Sequence, residues 1–261
     1  MIKAELEFLQ PDSDKPSYVM RELGEDFLST GSYHKVEVEI SNARESEVPI
    51  TLDRHGFELL AHSSQLGDLS CEQAIKEEYL VESCALVKQR LEALRVEAID
   101  YTVRTTDPRA QQRPASPRVH NDYTEASARA KFQSWLGSEF EPTSLKHRLL
   151  QLNLWRAFTE PVQRRPLVIA DGSSVRPADL VPCDVIYSDR VGENFEVRHS
   201  PSQQWFYFPE MTKDEVVLIK GYDSKVEARA RLAPHTSFTH PMQSVNAPHR
   251  WSIEVRMLVV I

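Results

Sequence analysis

Three side chains have the types and spacing of a metal site. His120 and Asp122 stand two residues apart in Val119-His-Asn-Asp-Tyr-Thr124. In an extended segment alternate side chains share a face, so this imidazole and this carboxylate point the same way. Two histidines and one carboxylate on one side of an ion, with open positions opposite, suit non-haem Fe(II). The third ligand must come from elsewhere among nine histidines. His34 shares strand parity with Val36, His55 and His62 flank a short expected strand, and His147 lies in a basic helical patch. His199 ends a strand, and His240 and His249 sit in a Pro-rich loop. His235, in Pro234-His-Thr-Ser-Phe238, opens a β-type run and is the remaining candidate. The same three groups also suit Zn(II) with a bound water, so a zinc hydrolase stays open on the ligands alone.

The closing segment adds a different chemistry. In Arg250-Trp-Ser-Ile-Glu-Val-Arg256, alternation puts Arg250, Ser252, Glu254 and Arg256 on one face and Trp251, Ile253 and Val255 on the other. A solvated sheet face would explain the charges. So would an anion, because a guanidinium holds a carboxylate through two parallel hydrogen bonds. With His120, Asp122 and His235 in view, an arginine holding the carboxylate of a 2-oxo acid is the better account. Arg156 is a further candidate for the co-substrate, beside Asn153 and across Trp155 on the same expected strand. Trp205 and Tyr207 share a strand face and, with Asn153, are candidates to touch substrate.

The elements that position these groups read as follows. Met1–Gln10 and Tyr33–Ile40 alternate as strands, and Thr51–Ala61 is expected to be a further short one. Ser70–Val96 is expected to be a helix, with Ser70 and Gln73 as a capping box and Leu80, Cys84, Val87, Leu91 and Leu94 on its apolar face. Ile99–Val103 reads as a strand. Asp107–Arg118 has three prolines and three arginines, so it reads as a basic loop and a candidate lid before His120. Glu125–Leu136 and Ser144–Leu150 are expected helices. From Leu152 onward, short apolar or alternating runs are punctuated by Pro, Gly, Asp and Ser, the pattern of a sandwich or barrel. The expected fold is α+β with a mainly β core and flanking helices. It forms a single domain over 1–261, an α/β part to residue 98 and a β-rich part over 99–261.

Composition narrows the class. The formal charge is −8, from 39 acidic and 31 basic residues, which disfavours nucleic acid as a partner. Three cysteines without metal-type spacing fit a reducing compartment. The first residues carry acids where a signal peptide needs an apolar run, and no stretch approaches the roughly 20 apolar residues of a membrane span. A cytoplasmic protein without a membrane partner is expected. Only eight glycines occur, with no phosphate-binding loop among them. The oligomeric state is not legible.

The order His-x-Asp, distant His, then Arg-x-Ser on the last strand resembles the Fe(II)/2-oxoglutarate oxygenases. More closely, several phrases resemble a secondary-metabolism family of gibberellin desaturase-like, aspergillic-acid hydroxylase-like and cephamycin methoxylation component-like proteins. They include Asn153-Leu-Trp-Arg156, Pro166-Leu-Val-Ile-Ala-Asp171, Gln204-Trp-Phe-Tyr-Phe-Pro-Glu-Met211, Asp214-Glu-Val-Val-Leu-Ile-Lys220 and Ser252-Ile-Glu-Val-Arg256. The resemblance runs from about Tyr101 to the C-terminus and implies a double-stranded β-helix, the jelly-roll of the cupins. It implies Fe(II) on His120, Asp122 and His235, and 2-oxoglutarate on Arg250 or Arg256 with Ser252. With O2, these would hydroxylate or desaturate a small molecule. A cupin-like binding protein without turnover would share the fold.

Overall fold

The computed structural model describes residues 1–20 and 29–261. Its fifteen strands are β1 (Ile2–Leu9), β2 (Ser17–Val19), β3 (Tyr33–Asn42), β4 (Phe57–Ala61), β5 (Arg95–Thr105), β6 (Arg113–Pro114), β7 (His120–Asn121), β8 (Leu149–Ala157), β9 (Leu167–Ala170), β10 (Leu180–Ile186), β11 (Val191–Val197), β12 (Trp205–Tyr207), β13 (Glu215–Asp223), β14 (His235–Ser237) and β15 (Trp251–Val260). They form a six-stranded sheet, β4-β13-β8-β15-β5-β6, and a nine-stranded sheet, β1-β3-β12-β9-β14-β7-β11-β10-β2. The two curl and pack face to face as a jelly roll. Strands from the first hundred residues take places in both sheets, so the α/β and β-rich parts of the sequence share one architecture.

Strands β8, β13 and β15 explain the long apolar runs in the sequence. β8 is buried at all nine positions, because both faces of the six-stranded sheet are covered. On its outer face, Leu150, Leu152 and Leu154 of β8 and Ile253, Val255, Met257 and Val259 of β15 pack against Ile75, Tyr79 and Val87. Those three belong to a continuous helical rod over 72–91, built from α2 (Glu72–Ala74), a π-helical turn (Ile75–Tyr79) and α3 (Leu80–Leu91). On the inner face, Trp155, Val217 and Ile219 meet Ile169 and Phe208 from the other sheet. Gln151 and Asn153 share this inner face by parity, as do Ser252 and Glu254 on β15.

The nine-stranded sheet is also covered on both sides. On its reverse face β1 and β3 supply Ala4, Leu6, Phe8, Val38 and Ile40, which pack with Val168, Ala170, Trp205 and Tyr207. Isolated bridges Glu7–Arg118 and Leu9–Arg198 tie β1 across the curl.

Several boundaries differ from the sequence expectation for local reasons. The helix is capped by the Cys71 side chain rather than by a Ser70–Gln73 box, and it stops at Glu92, whose φ of 51° is left-handed. Leu94, expected on its apolar face, is 53% exposed, since β5 already begins at Arg95. Thr51–Ala61 is not one strand: Thr51 caps a helical turn, α1 (Leu52–His55), and Gly56 at φ 85° turns the chain into β4. The helix expected over Ser144–Leu150 lies earlier, as α5 (Phe140–Lys146), and Leu149 opens β8. The helix expected over Glu125–Leu136, α4, forms with those bounds behind a Thr124–Ser127 capping box.

Near the site, β13 carries a buried charge cluster. Lys220 and Asp223 are both 0% exposed, and Lys220 Nζ donates to Asp223 Oδ2 at 2.8 Å. Arg148 Nε donates to Asp223 Oδ1 at 2.9 Å. Replacing Asp223 with Asn leaves the buried Lys220 ammonium only the exposed Asp53 carboxylate, 3.9 Å away, and breaking a buried pair costs about 3–5 kcal/mol. The urea midpoint of Asp223→Asn is expected to fall accordingly; an unchanged midpoint would refute this account of the cluster.

Candidate metal centre

Backbone pairing brings the two histidines together. β7 lies between β14 and β11, with His120 opposite His235 in register, and their ring centroids are 4.8 Å apart. Each ring is oriented through Nδ1. His120 Nδ1 donates to the Arg118 carbonyl at 2.9 Å, and His235 Nδ1 to the Ala233 carbonyl at 3.2 Å. A carbonyl only accepts, so the proton sits on Nδ1 and Nε2 keeps its lone pair, the tautomer a metal needs. His120 Nε2 is 3.7 Å from Asp122 Oδ1. His235 Nε2 is buried without a hydrogen-bond partner among the described residues. Burial, then the neighbouring His235, pushes the His120 imidazole down to about 4, so it stays neutral.

Asp122 is held from the other sheet. Its Oδ2 accepts from Asn153 Nδ2 at 2.5 Å, and Asn153 Oδ1 accepts from Gln151 Nε2 at 2.7 Å. Gly221 makes room for this chain: a Cβ there would fall 1.8 Å from Gln151 Oε1. Burial opposes ionisation of Asp122, but Arg256, the two imidazoles and the Asn153 amide outweigh it and hold the carboxyl below its ordinary range. Two imidazoles, each oriented through Nδ1, and an ionised carboxylate converge in a buried place, and this donor set fits a divalent transition ion.

The closing strand resolves into two kinds of arginine. Arg256 is engaged: Nε donates to Asp100 Oδ1 at 2.5 Å and Nη2 to Thr102 Oγ1 at 3.2 Å. Arg250 is 2% exposed and lies over the Trp155 ring at 5.5 Å. Its Nη1 donates to the Arg165 carbonyl, but Nε has no partner among the described residues, nor does the buried Ser252 Oγ. Burial and the charges of Arg104 and Arg165 push the Arg250 guanidinium down, as expected of a cation lacking an anion. Glu254, between them, is 7% exposed, and its Oε2 lies 3.9 Å from His235 Nε2.

Three expected site residues lie elsewhere. Arg156 has the parity of Leu154 and faces the helical rod. Its guanidinium is saturated by the Tyr79 hydroxyl, the His62 and Lys213 carbonyls and His62 Nδ1. Trp205 and Tyr207 are in the reverse-face core, because Phe206, not they, pairs with Ile169 on the site side. Asn153 is at the site, but it orients Asp122. Glu254, Arg104 and Glu196 went unassigned in the sequence; the alternation of β15 alone could have pointed to Glu254.

Beside these groups is a cavity of about 380 Å3, lined by His120, Asp122, Arg104, Arg256, Glu196 and Tyr187 among others. It is large enough for a small organic molecule. Residues 113–118 of the basic loop form part of its wall, pinned where the Thr236 and Ser237 hydroxyls donate to the Ser116 carbonyl. Glu196 is on the wall formed by β11, and burial pushes its carboxyl up to about 7.

The profile of the oxidoreductase/YMDC permease-like domain matches residues 6–260. A hydroxylase/desaturase of Hormonema carpetanum is 30% identical over 253 residues, 87% of this chain and 84% of that protein. An Fe(II)/2-oxoglutarate-dependent dioxygenase of Aspergillus novofumigatus is 30% identical over 270 residues, covering 98% and 96%. A solved iron and alpha-ketoglutarate-dependent endoperoxidase superposes with a TM-score of 0.87 at 26% identity, covering 99% of this chain and 97% of that one. No helix of the described residues is long and apolar enough to cross a membrane.

The Asn153–Asp122 contact generates a measurable expectation. Loss of a partner that orients a ligand lowers metal affinity roughly 10- to 100-fold. Asn153→Ala is expected to weaken Fe(II) binding by that factor in anaerobic chelator competition, and wild-type affinity in the variant would sink the assignment.

Proposed function

We propose a function from one premise: this chain belongs to the oxidoreductase/YMDC permease-like family, among its Fe(II)/2-oxoglutarate-dependent hydroxylases and desaturases. It is an Fe(II)/2-oxoglutarate-dependent dioxygenase, with O2 as the second co-substrate. Our reading assigns the residues. His120, Asp122 and His235 hold Fe(II), and Arg250 with Ser252 holds a carboxylate of 2-oxoglutarate. The observation that carries this reading is a set of buried polar atoms without partners among the described residues, drawn from both sheets: His235 Nε2, Arg250 Nε and Ser252 Oγ. Buried polar atoms in native proteins are almost always paired, so three in one place point to bound groups.

Bound Fe(II), with 2-oxoglutarate and O2, supplies the oxidation that removes hydrogen from the substrate. The chain's own contribution is placement. The Arg118 and Ala233 carbonyls fix the imidazoles, Asn153 fixes the carboxylate, and Trp155 under Arg250 keeps that guanidinium flat and dry. Arg256 serves a different purpose: tied to Asp100, with Nη1 3.9 Å from Asp122 Oδ1, it balances the ligand carboxylate's charge. The substrate is a small organic molecule of secondary metabolism, seated in the cavity beside His120 and oxidised by hydroxylation or desaturation.

Oxygen uptake by the purified protein with Fe(II), ascorbate and 2-oxoglutarate is expected to vanish in His120→Ala. Hydrogen bonds to charged groups are worth about 1.5–3 kcal/mol, so Arg250→Leu should raise the KM for 2-oxoglutarate roughly 10- to 100-fold. Full uptake in His120→Ala would overturn the ligand assignment. A KM raised by Arg256→Leu and untouched by Arg250→Leu would reverse the roles of the two arginines.

A further inference from the structure

We propose that Glu254 is a fourth protein ligand of the metal ion while 2-oxoglutarate is absent, and that 2-oxoglutarate displaces it. This rests on the metal centre assigned above to His120, Asp122 and His235. Glu254 is 7% exposed, and its carboxylate accepts no hydrogen bond from any described residue. Its Oε2 lies 3.9 Å from His235 Nε2, which has no hydrogen-bond partner among the described residues. A buried imidazole nitrogen without a partner, close to a buried carboxylate, is the arrangement of two ligands awaiting one cation. A buried carboxylate is normally paired or coordinates a metal.

The distances agree. Ligand atoms of Asp122, His235 and Glu254 all lie within 4.8 Å of one another, and His120 Nε2 is 3.7 Å from Asp122. Atoms bonded to one ion at about 2.0–2.2 Å are themselves about 3–4 Å apart. Small movements of these side chains therefore bring Asp122, His235 and Glu254 onto one ion, with His120 beside Asp122.

The same strand explains the displacement. Glu254 follows Ser252 and Arg250 at intervals of two on one face of β15, so the carboxylate pocket and Glu254 lie in one line. A co-substrate anchored on Arg250 and reaching the ion meets it from the side Glu254 occupies. Four protein ligands plus two atoms of 2-oxoglutarate would fill an octahedral ion and leave no open position. The Glu254 carboxylate has a resting place when it leaves: the guanidiniums of Arg104 and Arg256 are its charged neighbours. The consequence is a centre that holds its ion tightly with four ligands and opens only for 2-oxoglutarate.

Co(II) is the probe, because its d–d absorption reports coordination. Full-length wild type, Glu254→Gln, Glu254→Asp and His235→Ala are titrated with Co(II) against a chromophoric chelator, with and without 2-oxoglutarate. Thermal melts confirm that each variant is folded. Without 2-oxoglutarate, Glu254→Gln is expected to bind Co(II) roughly tenfold more weakly than wild type. At saturating 2-oxoglutarate the two should match, and the d–d change that 2-oxoglutarate causes in wild type should be smaller in the variant. Glu254→Asp keeps the charge but shortens the arm, and should behave like Glu254→Gln. Equal Co(II) affinities without 2-oxoglutarate would overturn the proposal, as would wild-type behaviour in Glu254→Asp, which would make the effect one of charge alone. A wild type that takes up no Co(II), or a His235→Ala variant that binds it normally, would overturn the metal centre itself and this proposal with it.

Discussion

The structure depends on charges kept inside a β-sandwich. Between the two sheets lie the carboxyl groups of Asp122 and Glu254 and the guanidiniums of Arg104, Arg250 and Arg256, next to two imidazoles. Removing each ion from water costs several kcal/mol even after the protein relaxes. Such a face survives only if every charge finds an opposite charge, a dipole or a ligand. Arg256 finds Asp100, and Asp122 finds Asn153. The remainder, on His235, Arg250, Ser252 and Glu254, is the part to which the proposed function assigns the ion and its co-substrate.

That remainder is held by the most rigid part of the fold. β15 pairs with β8 on one side and β5 on the other along almost its whole length, so its inward face cannot shift without breaking two ladders. β8 carries Gln151 and Asn153, which reach across to Asp122, and the missing side chain at Gly221 lets Gln151 lie against β13. The nine-stranded sheet contributes His120 and His235 by direct pairing. The proposed ligands of the ion thus come from the nine-stranded sheet and the residue that follows β7, while the six-stranded sheet supplies the groups that orient Asp122, and the packing of the apolar core sets their separation.

How much of this was legible follows from where polarity alternates. The His120–Asp122 pair, His235 and the face of β15 were readable because short polar side chains interrupt otherwise apolar strands. The strands from Leu152 onward were readable from turn residues. Arg156 was misplaced because β8 is buried on both faces, so its sequence shows no contrast between inside and outside, and one step of parity moves a side chain from the metal to the helical rod. Trp205 and Tyr207 do share a face, but the nine-stranded sheet is covered on both sides and the choice between faces depends on β1 and β3, far away in sequence. Asn153 was expected at the site, but its hydrogen bond to Asp122 was not legible, since it spans 31 positions of chain.

The two sides of the site differ in how they are built, and that difference bears on chemistry. The proposed metal side rests on His120 and His235 in fixed strand register, with Asp122 just past the end of β7. The cavity side is made of residues 113–118, the β10–β11 hairpin and Tyr187, which are turns and edges where replacement costs little core packing. A carbon radical becomes an alcohol or an alkene according to where it sits relative to the oxidising centre, and that is set by the cavity wall. Exchange of wall residues such as Tyr187 or Arg113 alters the shape offered to substrate without touching a ligand strand. Hydroxylation and desaturation can therefore share one metal-binding frame, because much of the cavity wall lies on elements other than those that carry the proposed ligands.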